Sequence, residues 1–256
     1  MENFIENPNL PDGQVSLMVV DGRISEDMEN TLEKRGVRLI KTTPIKEIMP
    51  QIAWHPDIML HHIGGDRVVV APNTPEKLVY SLEQEGCKII TGIRELNEKY
   101  PLDISYNVAR LGGFALCSIK NTDEVLLEKL QEGGVQVVDV SQGYAKCSVC
   151  IVDSNSIITS DKGIARAAAN KGIEVLLIDP GYIELKGLDY GFIGGTSGFL
   201  SAKELAFAGS LEKHPQYSII FNFVLKHGKT PINLCENTLH DLGTLVPLKE
   251  YSILRA

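Results

Sequence analysis

What this sequence has little of narrows it first. Its 256 residues include only five cysteines, an odd number scattered along the chain. That argues against a disulfide framework and for a reducing compartment, so a cytoplasmic protein is expected. No apolar run reaches the length of a membrane span, so no membrane partner is expected. The first twelve residues are polar, with no apolar h-region, and no signal peptide is expected. Basic residues are outnumbered, with 25 Lys and Arg against 33 Asp and Glu, a net charge of −8. They form no run. Phosphate backbones need concentrated Lys and Arg, so no nucleic-acid partner is expected.

Apolar material is not lacking. Hydrophobic residues make up 43% of the chain, enough for a full core. The length suits one closed α/β domain spanning residues 1–256. One phrase recurs: an apolar or small residue, three residues that are mostly polar, then Gly, then usually an apolar-rich run. It reads from Leu32 to Gly36, Leu82 to Gly86 and Leu130 to Gly134, with weaker copies from Ala168 to Gly172 and Val224 to Gly228. A helix that ends on Gly at C′ and hands over to a β-branched exit strand has this form. Ser25, Thr74-Pro75, Thr122 and Ser160-Asp161 stand where N-caps are wanted. Hairpin signals precede three of these helices, with turns at Gly64-Gly65-Asp66, Gly112-Gly113 and Asp153-Ser154-Asn155. A fourth, more degenerate, lies in GFIGGTSGFL. His214-Pro215 marks an irregularity in the fifth unit.

The first unit offers one strand, VSLMVVDG, where the others offer two. The chain ends in a solitary strand, read over residues 240–248, with no helix after it. That strand is expected to complete unit one and close a five-fold pseudo-symmetric α/β-propeller of strand–strand–helix–strand units. Closure removes an exposed edge. An ordinary doubly wound sheet explains the glycines, but not the hairpins or the last strand.

Five such units in a ring resemble the pentein fold of arginine deiminases, dimethylarginine hydrolases and amidinotransferases. Lining up the strand that opens each unit gives His55-Pro56-Asp57, Pro101-Leu102-Asp103, Ala145-Lys146-Cys147, Gly191-Phe192-Ile193 and Leu239-His240-Asp241. Polar residues recur at the third place. Gly143-Tyr144-Ala145-Lys146-Cys147-Ser148 is similar to the lead-in before the family's nucleophilic cysteine. The resemblance implies a central pocket for a small guanidine-like molecule. Asp57, Asp103 and Asp241 would grip the forked guanidinium, Cys147 would attack its carbon, and a histidine would protonate the leaving amine. Two departures stand out. The His-x-Asp phrase, at His55 and Asp57, sits one unit earlier than in the family. Ile193-Gly194-Gly195-Thr196 keeps the glycines of Glu-Gly-Gly-Asp and loses both acids. A non-catalytic small-molecule or protein-binding member of the fold is therefore the rival expectation.

Asn107 and Arg110 are candidates for recognising a substrate carboxylate. His55 and Asp57, two apart, would share one face of a strand. Cys147 and Cys150 form a lone CxxC, and on a strand they would face opposite sides, so no metal and no cofactor is expected. Cys235, with His240 five residues on, is an alternative nucleophile, and Cys87 and Cys117 read as core. The glycines of residues 194–198 lack a P-loop lysine and suggest a close backbone approach. A homo-oligomer is left open.

Overall fold

The computed structural model describes residues 1–251. Unit one contains β1 (Glu2–Phe4), β2 (Gln14–Val20), α1 (Glu26–Lys34) and β3 (Arg38–Lys41). Unit two opens on a single helical turn, α2 (Pro56–Met59), and continues through β4 (Leu60–Gly64), β5 (Arg67–Val70), α3 (Glu76–Gln84) and β6 (Lys88–Thr91). Unit three holds β7 (Ala109–Leu111), β8 (Phe114–Cys117), α4 (Glu124–Glu132) and β9 (Gln136–Asp139). Unit four repeats the helical opening with α5 (Ala145–Ser148), then β10 (Val149–Asp153), β11 (Ser156–Thr159), α6 (Lys162–Ala169) and β12 (Glu174–Leu177). Unit five has β13 (Ser197–Phe199), β14 (Glu204–Phe207), α7 (Tyr217–Lys226) and β15 (Thr230–Asn233), and β16 (Val246–Tyr251) follows.

Each unit forms its own small sheet. In units two to five a hairpin pairs antiparallel, and the strand after the helix returns parallel, as β4–β5–β6 does. In unit one, β16 pairs antiparallel with β2, placing Val246 opposite Val19. The last strand thus supplies the expected missing strand. It begins later than residue 240, however, and residues 240–245 form a loop. It also carries a neighbour that the sequence pattern did not reveal: β1 pairs with its outer edge, Glu2 opposite Tyr251.

The recurring phrase has a packing cause. Each of these five helices buries two residues four apart: Met28 and Leu32, Leu78 and Leu82, Leu126 and Leu130, Ile164 and Ala168, Ile220 and Val224. The second of each pair is the apolar residue of the phrase, one turn before its Gly. Helices of 8–10 residues are marginal alone. Burying a Leu-sized side chain contributes about 1.5–3 kcal/mol, so this inner stripe holds them on the sheets. Gly36, Gly86, Gly134 and Gly228 take positive φ at C′, and Gly172 does so one residue further on.

The caps are only partly as expected. Ser25 and Asp161 accept from backbone N–H groups of their first turns. At α4 the cap is Asp123 rather than Thr122, and at α3 it is Pro75, while the Thr74 hydroxyl donates to the Met59 carbonyl instead. Among the described residues no helix is long and apolar enough to cross a membrane.

Candidate active site

The aligned phrases do not open as strands. Pro56 sits at N1 of α2, where its fixed φ suits a helix and its missing N–H costs nothing. Cys147 occupies the matching turn α5, and Gly194–Thr196 forms a 3₁₀ turn in unit five. His55 and Asp57 therefore do not share a strand face. His55 precedes the turn and Asp57 lies within it, and they reach Cys147 from two sides.

Cys147 is buried, and its thiol donates towards the Asp57 carboxylate, with Sγ 3.2 Å from Oδ2 and 3.4 Å from Oδ1. Asn107 fastens the two turns together. Its Nδ2 donates to Sγ and to the Asp57 carbonyl, each at 3.2 Å, and its Oδ1 accepts from the Lys146 and Cys147 backbone N–H groups. Behind Asp57, the Thr244 hydroxyl donates to Oδ2 at 2.8 Å, and Lys146 Nζ donates to that hydroxyl at 3.1 Å. A small void of about 20 Å³ lies on this side, bordered by Asp57, His61 and Lys146.

On the other side of Cys147 lies a cavity of about 290 Å³, with His55, Asp241 and Tyr144 in its walls. His55 is fully buried and neither ring nitrogen has a hydrogen-bond partner. Nδ1 lies 3.9 Å from Asp241 Oδ1 and Nε2 4.0 Å from Asp21 Oδ2. Asp241 accepts from the backbone N–H groups of Phe192 (2.8 Å) and Gly243 (3.0 Å). Gly195 makes room for it, since a Cβ there would stand 1.8 Å from Asp241 Oδ1. The glycine segment is thus the close backbone approach that its composition suggested.

Burial, reinforced by the Asp57 and Asp241 charges and the hydrogen bond to Asp57, pushes the Cys147 thiol well above the usual range, while the Asn107 amide and the nearby Lys146 ammonium pull the other way. Burial also raises Asp241, against the pull of His55, and lowers Lys146. Asp103 is buried and raised, and accepts from the Tyr144 hydroxyl. It acts on the cavity through that phenol and forms no part of the wall. One of its oxygens has no partner.

Arg110 stands apart from this cavity. It lies on β7 and outside the cavity wall, and its Nη1 reaches the Phe114 carbonyl. Asn107 binds Cys147 and Asp57 rather than facing the cavity. Cys87 and Cys117 are buried, as expected, while Cys235 packs half-buried beside another core cluster. The ligand atoms of His55, Asp57 and Cys147 lie within 4.8 Å of one another, a set able to take a thiophilic ion. Cys150 is not in that set. Sequence reasoning did not single out Asp21, Thr244 or Asp189, the last of which stands in the wall of the larger cavity. Asp21, at the end of a buried apolar run, carried the one readable signal.

A family model described as a family of unknown function (DUF6873) matches residues 19–246. The chain belongs to that family. Among solved structures, the inosamine-phosphate amidinotransferase StrB1 of Streptomyces griseus is similar over 96% of this chain and 97% of its own, at 11% identity and a TM-score of 0.60. SxtG, an amidinotransferase of the saxitoxin pathway from Microseira wollei, matches over 90% and 91%, at 12% identity and 0.57. An agmatine deiminase of C. jejuni matches over 91% of both chains, at 12% identity and 0.54. No curated protein matches. The fold is the pentein fold, as the five units implied.

Proposed function

We propose that this family member binds a small guanidine or amidine compound in the cavity over Cys147 and attacks its central carbon with that thiol. The contact between Cys147 Sγ and Asp57, with His55 and Asp241 on the same cysteine's open side, carries the reading. Amidino transfer and agmatine deimination, the activities named for proteins of this fold, are both reactions at a guanidinium carbon.

The electrostatics suit a cationic substrate. A thiol flanked by carboxylates resists ionisation, and an arriving guanidinium supplies the opposite charge that favours the thiolate. Asp241 grips the fork of the guanidinium. The thiol proton passes to Asp57 as the S–C bond forms. The C–N bond then breaks, and His55 gives a proton to the departing amine. In hydrolysis, water loses a proton to His55 and bonds to the amidino carbon, the C–S bond breaks, and Asp57 returns its proton to the sulfur; in transfer, an acceptor amine takes the place of water.

The same raised thiol supports a second reading, a non-catalytic binder in which Cys147 stays protonated. Incubation with a haloacetamidine separates the two. Selective alkylation of Cys147, read by peptide mass spectrometry and faster than with the matching haloacetamide, supports the enzyme. Equal rates for both reagents, together with no turnover across a guanidine panel, favour the binder.

A further inference from the structure

We infer that the guanidine taken by this site carries a hydrocarbon tail and no carboxylate, an inference that rests on the guanidine reading above. The way out from Cys147 is apolar: Met49, Ile52, Leu185, Leu188, Tyr144 and Phe192 line the cavity of about 290 Å³ above the thiol. Phe192 stands with its ring centroid 6.3 Å from that of Tyr144 and 6.2 Å from that of Tyr190, so one side is a continuous aromatic wall. This cavity meets an outer one of about 620 Å³, and Asp189 belongs to both. An acid thus stands where the two spaces join.

Among the described residues no lysine or arginine lines the inner cavity to receive a carboxylate. Arg23, in the outer cavity, already spends its guanidinium on both Asp21 oxygens and on the Pro50 and Gln51 carbonyls. Lys186 lines the outer cavity alone. Lys146 and Arg110, the buried bases of the ring, lie outside the cavity wall. A carboxylate would instead face Asp189 and Asp241, at the cost of desolvation and repulsion. A hydrocarbon chain meets the apolar side chains that make up most of the wall, and each buried methylene raises affinity about fourfold.

Calorimetry on Cys147→Ser with methylguanidine, n-propylguanidine, n-pentylguanidine and L-arginine tests this. Affinity is expected to climb with tail length, and L-arginine is expected to bind at least tenfold more weakly than n-pentylguanidine. Asp189→Asn should narrow that gap, and Lys186→Ala should leave the ranking unchanged. Protection of wild-type Cys147 from haloacetamidine by the same compounds gives the ranking without a substitution. L-Arginine binding as tightly as n-pentylguanidine, or affinity indifferent to tail length, overturns the tail inference and leaves the guanidine reading standing. Binding of none of the four overturns both.

Discussion

The hydroxyl of Thr244 lies 2.8 Å from the carboxylate of Asp57, in a residue whose φ of +73° few β-branched side chains adopt. The backbone strain keeps that hydroxyl between Asp57 and Lys146, where it donates to one and accepts from the other. Replacing Thr244 with Val keeps the shape and removes these bonds together with the hydroxyl's 3.2 Å contact to the Gly194 carbonyl, leaving a buried carboxylate short of a donor and a buried amine without its partner. Chemical denaturation is expected to show a loss of about 1–3 kcal/mol. Thr244→Ser, which retains the hydroxyl, should lose clearly less.

Asp57 and Lys146 act on the thiol with opposite signs. Asp57 raises it, so Asp57→Asn lowers its pKa and enlarges the thiolate fraction at any pH below that value. Alkylation of Cys147 by iodoacetamide at pH 7.5 should then be faster than in the wild type. Lys146→Met removes a nearby cation and should slow the same reaction. In the wild type the rate should still be climbing above pH 9, because the folded thiol titrates above the ordinary range. A plateau near pH 8.5 would show that the carboxylates do not govern this cysteine.

The ring was legible because its signal is repeated and physical. An apolar or small residue one turn before a Gly marks each of the five longer helices whatever the other residues are. The openings of the units were misread because four residues are too few to show a period. His55-Pro56-Asp57 looks alike as a strand or as a helical turn, and the tertiary contacts of Asn107 decide between them. Cys147, His55, Asp57 and Asp241 were singled out as candidates by alignment of the units, and the fold brings them together around the thiol. Asp189 and Thr244 were not, since each is a single polar residue in an irregular segment and only the chain's path brings it to the site. Arg110 stands outside the cavity wall, since a hairpin residue's sequence position does not say which side of the ring it faces.

His61 and His62 are expected to contribute to a loss of stability in acid. Burial, with the charges of Arg110, His62 and Lys146, holds His61 down to about 3, and burial holds His62 down to about 4. Both are neutral in the folded chain at a pH where the unfolded chain protonates them near 6.5. The unfolded state thus binds more protons below 6.5, and stability falls as pH falls from about 6.5 towards 4. Each histidine contributes up to about 1.4 kcal/mol per pH unit in that window. Thermal melts between pH 7 and 4.5 should show the midpoint dropping, and His61→Gln should flatten the drop. An unchanged profile in that variant would assign the acid response to other groups.

Glycines offer the sharpest contrast between conformation and space. At Gly36 an added Cβ meets nothing within 4 Å, and only the positive φ opposes it. Gly36→Ala should therefore cost about 1–2 kcal/mol and leave Cys147 reactivity unchanged. At Gly195 the added Cβ would overlap Asp241 Oδ1, and at Gly243, where φ is +63°, it would stand 2.2 Å from His55 Cβ. Neither neighbour is the free end of a flexible chain: Asp241 is pinned by two backbone N–H groups, and His55 is fully buried. Either alanine must push the carboxylate or the imidazole out of line with the thiol. Gly195→Ala is thus expected to abolish selective haloacetamidine labelling of Cys147 even in protein that remains folded by circular dichroism. Gly36→Ala, with a comparable or smaller loss in melting temperature, should label like the wild type. Equal labelling of the Gly195 and Gly36 variants would mean that the position of Asp241 does not matter to chemistry at the cysteine.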